Sequence, residues 1–291
     1  MNQKLICILG PTASGKTKFA VKMAYDLGGE IISADSRQVY RGMDIGTGKD
    51  IEDYLYNGVH IPYHLIDIVN PGYKYNIFEY QQDFNRVYQE IVGRGVQPIL
   101  CGGSGLYIES VINGYNLPEV PVDNNLRDEL ESISTQDLIE MLSSMRSLHN
   151  STDTTSRKRL IRAIEIAKYM ENNDLTQSDF GPIDTIIYGI DISREERIKR
   201  IDERLDIRLD GGMIQEVKLL LESGLSPEDL IYYGLEYKFI TLYLVGDLSF
   251  EQMREKLAIA IHQFAKRQMT WFRGMEKRGA IINWIDYKKI I

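Results

Sequence analysis

Gly10-Pro11-Thr12-Ala13-Ser14-Gly15-Lys16-Thr17 constrains this 291-residue chain more than any other stretch. It matches GxxxxGK[ST] in full. Before it runs the apolar stretch Leu5-Ile6-Cys7-Ile8-Leu9, and after it Phe19, Ala20, Met23, Ala24 and Leu27 recur at helical spacing. That is the strand–loop–helix setting the pattern requires. Glycines let the backbone wrap an anion, and N–H groups at the helix start donate to its oxygens. Lys16 supplies charge, and the Thr17 hydroxyl can ligate Mg²⁺. The expected phosphate contacts are Gly10, Thr12, Ala13, Ser14, Gly15, Lys16 and Thr17. A turn that only joined strand to helix would not need a lysine followed by a hydroxyl. The motif specifies a diphosphate and leaves the reaction open.

The strand–helix rhythm continues. Ile31-Ile32-Ser33-Ala34 and Pro98-Ile99-Leu100-Cys101 read as buried strands, with a helix over about 78–92, so the fold class is α/β with a parallel sheet. From about 121 to 182 the pattern is helical and polar, which predicts an inserted helical lobe. Asp184 to Ile190 then returns to strand character, and the rest is mostly helix, with Gly211-Gly212 and Gly224 as stops and a last apolar run at 281–285. The expected division is 1–120 with 183–291 as the core, and 121–182 as the insertion.

Lys and Arg total 34 against 42 Asp and Glu, a net charge of −8, which argues against indiscriminate coating of nucleic acid. The two cysteines, Cys7 and Cys101, read as reduced thiols in neighbouring strands. No stretch approaches the ~18–20 apolar residues of a membrane span, so a soluble, cytoplasmic protein is expected. His60 and His64 flank Pro62 with no carboxylate to complete a metal site, and read as structural; His149 and His262 have no companions.

Two further strand ends carry polar groups. Ser33-Ala34-Asp35-Ser36-Arg37-Gln38 places Asp35 where an open α/β sheet holds its ligand. Asp35 could ligate Mg²⁺ through water, act as a general base, or cap a helix. Cys101-Gly102-Gly103-Ser104 would let a backbone approach the same cleft with the Ser104 hydroxyl facing it; a tight turn with an exposed serine explains it equally well.

These pieces in this order resemble the tRNA dimethylallyltransferase (isopentenyl-diphosphate:tRNA transferase) family. The resemblance rests on GPTASGKT at 10–17, ISADSRQVYRGMDIGT at 32–47 and YHLIDI at 63–68 with Pro71. It continues with GGSGLY at 102–107 and AKRQMTWFR at 265–273, and runs from about residue 5 to 286. It implies a P-loop NTPase-like parallel sheet flanked by helices, and transfer of a dimethylallyl group from dimethylallyl diphosphate to N6 of the adenosine 3′ of a tRNA anticodon. The loop would then grip the donor's diphosphate with Mg²⁺. Asp35 would take the amine proton and Ser104 would hydrogen-bond the bridging oxygen, which with Lys16 and Arg200 makes the catalytic set. The same chemistry on free AMP, ADP or ATP is the nearest alternative, and a P-loop kinase a more distant one.

Arg197, Arg200, Arg204 and Arg208 line one helix face. The family carries arginines matching Arg200 and Arg204, both implied in diphosphate binding with Arg200 the better ligand; Arg197 and Arg208 read as a solvated face. An anticodon stem-loop would meet Asp35, Ser36, Arg37, Gln38, Ser104, Arg127, Lys158, Arg159, Arg162, Lys266, Arg267, Gln268 and Arg273. Gln38 and Ser36 would read the adenine edge. Residues 254–289 hold nine Lys and Arg against three Asp and Glu, a local basic patch on an acidic body. The protein is expected to act as a monomer with no membrane partner. Three segments depart from the family. Gly46-Thr47-Gly48-Lys49-Asp50 stands for GTAKP, which suggests a looser lid. Thr155-Ser156-Arg157 stands for the family's NDP and Glu236-Tyr237-Lys238-Phe239 for its Gly-Tyr-Arg/Lys-Glu/Gln, both where tRNA would be faced.

Overall fold

The computed structural model describes residues 4–145, 156–173 and 181–290. Two compact units emerge, Met1–Tyr115 with Gly181–Ile291, and Asn116–Phe180.

The first unit is built on a six-stranded sheet. Its strands are β1 (Leu5–Leu9), β2 (Gly29–Ala34), β5 (Tyr63–His64), β6 (Gln97–Gly102), β7 (Thr185–Asp191) and β8 (Ile282–Asp286), in the order β5-β2-β6-β1-β7-β8. Every pairing is parallel. A parallel sheet covered on both faces needs uninterrupted apolar strands, and β1 is buried along its whole length. Helix α1 (Lys16–Leu27) lays Ala20, Val21 and Ala24 against Ile6, Ile8, Ile31 and Ile99. It ends at Gly28, which takes the left-handed conformation (φ 61°) that closes a helix. Helix α2 (Ile77–Gly93) starts on an Asn76/Glu79 capping box. Cys7 and Cys101 are free and buried in adjacent strands, and burial pushes both thiols up.

Two short pieces went unread in the sequence. Asn57-Gly58, both at positive φ, turns the hairpin β3 (Leu55–Tyr56) and β4 (Val59–His60), and the dipeptide is itself a strong hairpin signal. Strand β5 is two residues long, too short to show a period.

The chain after β7 is helical: α7 (Arg194–Arg208), α8 (Ile214–Glu222), α9 (Pro227–Tyr232), α10 (Leu235–Leu244) and α11 (Phe250–Lys277). A wide π turn over Leu209–Met213 joins α7 to α8, with Gly212 at φ 99°. Helix α3 (Gly105–Ile112) follows β6 directly.

The second unit packs α4 (Asn124–Glu131), α5 (Thr135–Met145) and α6 (Arg157–Asn172) around Leu130, Leu138, Leu142, Leu160 and Ile164. Among the described residues no helix is long and apolar enough to cross a membrane.

Candidate active site

The register of the sheet makes the site. Leu9 and Ala34 both pair with Gly102, so β1, β6 and β2 end side by side. The loops that leave those ends carry Gly10–Gly15, Gly103-Ser104 and Asp35–Gln38. Three distant stretches of chain thus reach one edge, the place where an open parallel sheet holds its ligand. Close approach requires small residues. A Cβ on Gly102 would run into the Ala34 carbonyl, and one on Gly10 would sit 2.7 Å from Ser14 Oγ.

The loop itself is a nest. Ala13 (φ 61°) and Gly15 (φ 87°) take left-handed conformations, which turn successive N–H groups inward at the start of α1. The Ser14 hydroxyl is buried without a partner. Lys16 makes no ion pair among the described residues, and burial pulls its ammonium below the ordinary lysine range despite the nearby Asp35. Arg204 reaches across from α7 and donates to the Thr12 hydroxyl. Burial, reinforced by Arg208, pushes its guanidinium down to about 10. Two desolvated cations without a carboxylate partner, beside inward N–H groups, form an arrangement complementary to a multiply charged anion.

The sequence favoured Arg200 over Arg204 here. The structure puts Arg204 on the loop, while Arg200 lies 5.6 Å over the Tyr287 ring with one terminal nitrogen buried and unpartnered. Arg208 is corrected as well. Its side chain is 11% exposed, packs on Gly48 and pairs with Asp50 at 2.7 Å, so it is no solvated arginine.

Asp35 accepts the Arg37 N–H through Oδ1 at 2.9 Å, an Asx turn that leaves Oδ2 without a bond among the described residues. Ser104 Oγ accepts the Ser36 N–H at 3.2 Å and lies 3.5 Å from Ser36 Oγ. Gln38 does not present a free amide: its nitrogen donates to Gly48 O at 3.0 Å and its oxygen accepts from Ser33 Oγ at 3.2 Å.

Gln268 is the largest correction. Read as a contact to RNA, it is buried on the inner face of α11. There it accepts the Thr12 N–H and donates to the Gly103 carbonyl, both at 2.9 Å, joining two of the three loops. Its spacing from Ala265, Met269, Phe272 and Met275 puts it in phase with the buried stripe of that helix, a signal present in the sequence. Lys266, Arg267 and Arg273 are exposed.

The loop after Gln38 is braced where looseness was expected. Lys49 is buried, donating to Tyr40 O and Asp44 Oδ1 at 2.6 Å each and pairing with Asp67. Glu216 on α8 accepts from the N–H groups of Asp44, Ile45 and Gly46 at 2.7–3.1 Å, and from the Tyr237 hydroxyl at 2.6 Å. Within the Glu236-Tyr237-Lys238-Phe239 segment, Tyr237 is buried under this loop while Lys238 is exposed. Burial raises Glu236, which also feels Arg204 and Arg208. Glu216→Ala is expected to speed amide exchange at 44–46 by about tenfold, the equivalent of one lost hydrogen bond. Exchange mass spectrometry on those peptides checks it, and unchanged rates would remove Glu216 as the clamp.

In the second unit, Arg127 and Arg162 do not point free. Both pair with buried Glu165, Arg127 at 2.8 and 3.0 Å, and Glu165 also accepts the Asp123 N–H. Arg157 is spent on Glu131 and the carbonyls of Leu130, Glu131 and Ile133. Lys158 and Arg159 are exposed. Thr155, part of a departure from the family pattern, and His149 lie outside the described residues. His64 pairs with Glu30 at 2.8 Å, a structural role. Among the described residues no group of three or more His, Cys, Asp or Glu could hold a metal.

A family model for IPP transferase matches residues 38–275. The tRNA dimethylallyltransferase 1 of Parabacteroides distasonis is 59% identical over 283 residues, 97% of this chain and 92% of that protein. The solved tRNA isopentenylpyrophosphate transferase of Bacillus halodurans is similar at 36% identity and a TM-score of 0.71, covering 99% of this chain and 93% of that one. The tRNA Δ²-isopentenylpyrophosphate transferase of Staphylococcus epidermidis is similar at 34% identity and 0.69, covering 98% and 94%.

Proposed function

The chain belongs to the IPP transferase family, and from that premise we propose that it transfers a dimethylallyl group from dimethylallyl diphosphate to N6 of the adenosine 3′ of the anticodon in tRNA. It is a prenyltransferase built on a P-loop. The observation that carries the residue-level reading is the pair Lys16 and Arg204, desolvated and without carboxylate partners, facing the nest of residues 10–15.

The inward N–H groups, Lys16 and Arg204 receive the donor's diphosphate and meet the negative charge that grows on it as the allylic C–O bond breaks. Arg200, with its unpartnered buried nitrogen, is a second ligand for the same group. Adenine N6 is a poor nucleophile because its lone pair is delocalised into the ring. Asp35 Oδ2 accepts the proton that N6 loses as it bonds to the allylic carbon, while Oδ1 stays tied to the Arg37 amide. Ser104 Oγ, already an acceptor for the Ser36 amide, directs its own proton to the bridging oxygen.

Mg²⁺ suits this site only as a partner of the diphosphate. The donor set is hard oxygen, chiefly the Thr17 hydroxyl, with no protein cage, so phosphate oxygens and water would fill most positions. When bound it would add charge neutralisation at the leaving group. Exposed Lys266, Arg267 and Arg273 on α11, and separately Lys158 and Arg159 in the second unit, support tRNA as the acceptor, since a free adenylate needs no such basic patches.

The deciding experiment gives the purified protein labelled dimethylallyl diphosphate and Mg²⁺, with unmodified tRNA or with AMP, ADP and ATP. Label on tRNA alone is expected. Label on free adenylates would move the reaction to the small acceptor, and phosphoryl transfer from ATP outrunning prenylation would end the donor-diphosphate reading of the loop.

A further inference from the structure

Tyr232, the last residue of α9, is 43% exposed, with two cations over its ring. The Arg37 guanidinium carbon lies 5.3 Å and the Lys74 ammonium 5.7 Å from the ring centroid. Aromatic faces attract cations, but two like charges gathered on one ring repel each other. A purely structural pair would be expected to recruit a carboxylate. Among the described residues no carboxylate pairs with either side chain, so the two charges, on exposed Lys74 and half-buried Arg37, stand without an ion-pair partner.

The frame beneath is rigid. Tyr233 is buried and edge-on both to Tyr232, at 5.5 Å, and to Tyr40, at 4.6 Å. Its hydroxyl accepts the Gly72 N–H at 2.5 Å and donates to the Tyr73 carbonyl at 3.1 Å, which fixes the segment carrying Lys74 to the segment carrying Tyr232. Arg37 is tied in turn to Asp35 by the Asx turn. The two cations therefore stand at a set distance from the proposed base, and apart from Lys16 and Arg204, which the donor occupies.

We propose that Arg37 and Lys74, arrayed over Tyr232, clamp a backbone phosphodiester of the acceptor RNA next to the nucleotide being modified, with Tyr232 as the positioning residue. This deepens the function proposed above and rests on it. A strand whose target base has left the stack must be held through its backbone. A planar guanidinium beside a point-charge ammonium can grip one phosphate from two directions.

The test titrates an unmodified anticodon stem-loop RNA against the full-length protein over a KCl series, following fluorescence anisotropy. Arg37→Gln and Lys74→Gln are each expected to reduce the log–log salt slope by about 0.7–1. Both should raise KM for the RNA by a larger factor than they lower kcat, with pyrophosphate affinity unchanged. Tyr232→Phe should match the wild type, because the ring is kept. Tyr232→Leu should lose part of the slope although no charge is removed. An unchanged slope in the two glutamine variants overturns the clamp, and that result stands even if Tyr232→Leu does not fold. A Tyr232→Leu protein that folds and behaves as wild type removes the ring from the proposal. Wild-type protein that binds the RNA but does not prenylate it refutes the functional reading and leaves the clamp intact; no RNA affinity at all refutes both.

Discussion

Asp35→Asn is expected to slow prenyl transfer by about 10²–10⁴-fold, the contribution of a positioned general base, while dimethylallyl diphosphate binds as before. The substitution is unusually clean here. Oδ1 serves the turn by accepting the Arg37 N–H, and an asparagine carbonyl can do the same. Only the second oxygen changes, from a proton acceptor to an amide donor. Single-turnover rates at saturating RNA and donor isolate the chemical step. A variant that turns over at the wild-type rate would reduce Asp35 to a scaffold for the 35–38 turn.

The second large effect runs in two directions at once. Arg204→Gln is expected to lose about 10²–10³-fold in kcat/KM and, in the free protein, to melt at a higher temperature than wild type. Burial first, and then Arg208, push the guanidinium down from the ordinary arginine range to about 10. A cation whose folded value lies below its unfolded one is a cost carried at every pH below about 10, and it is relieved only as the pH climbs from there towards the ordinary arginine value. For this shift the cost is on the order of 3 kcal/mol at neutral pH. Pyrophosphate should raise the melting temperature of the wild type and do much less for the variant. If the unliganded variant melts lower, its bond to Thr12 and its packing outweigh the desolvation, and the charge is not held in reserve for a ligand.

The phosphate loop was legible because everything it needs is local: an apolar strand, glycines at fixed offsets and a helix start. The sheet followed for the same reason, since strands buried on both faces are continuous apolar runs. What could not be read was which way long side chains turn. Four arginines on one face of α7 share a period, yet Arg204 meets Thr12, Arg208 meets Asp50, and Arg200 lies over Tyr287. Charge patterns also hid their partners. Arg127 resembled an RNA contact because Glu165, 38 positions away, meets it only once the lobe is folded; Arg162 lies one helical turn from the same carboxylate, a pairing the sequence already offered. Gly48 and Asp50, where the family has alanine and proline, read as a loosening of the loop, yet Lys49 between them is buried against Asp67. Gln268 was a different kind of miss. Its basic neighbours outweighed a helical phase that already placed it inside.

The pairing of Gln268 with Thr12 spans 256 positions. Ribosomes add about 5–20 residues per second, so the first loop emerges roughly 13–50 seconds before the side chain that fastens it. A nascent chain would carry an unfinished grip through that interval and would not engage prenyl diphosphate until α11 docks. Donor capture is thereby coupled to the docking of α11.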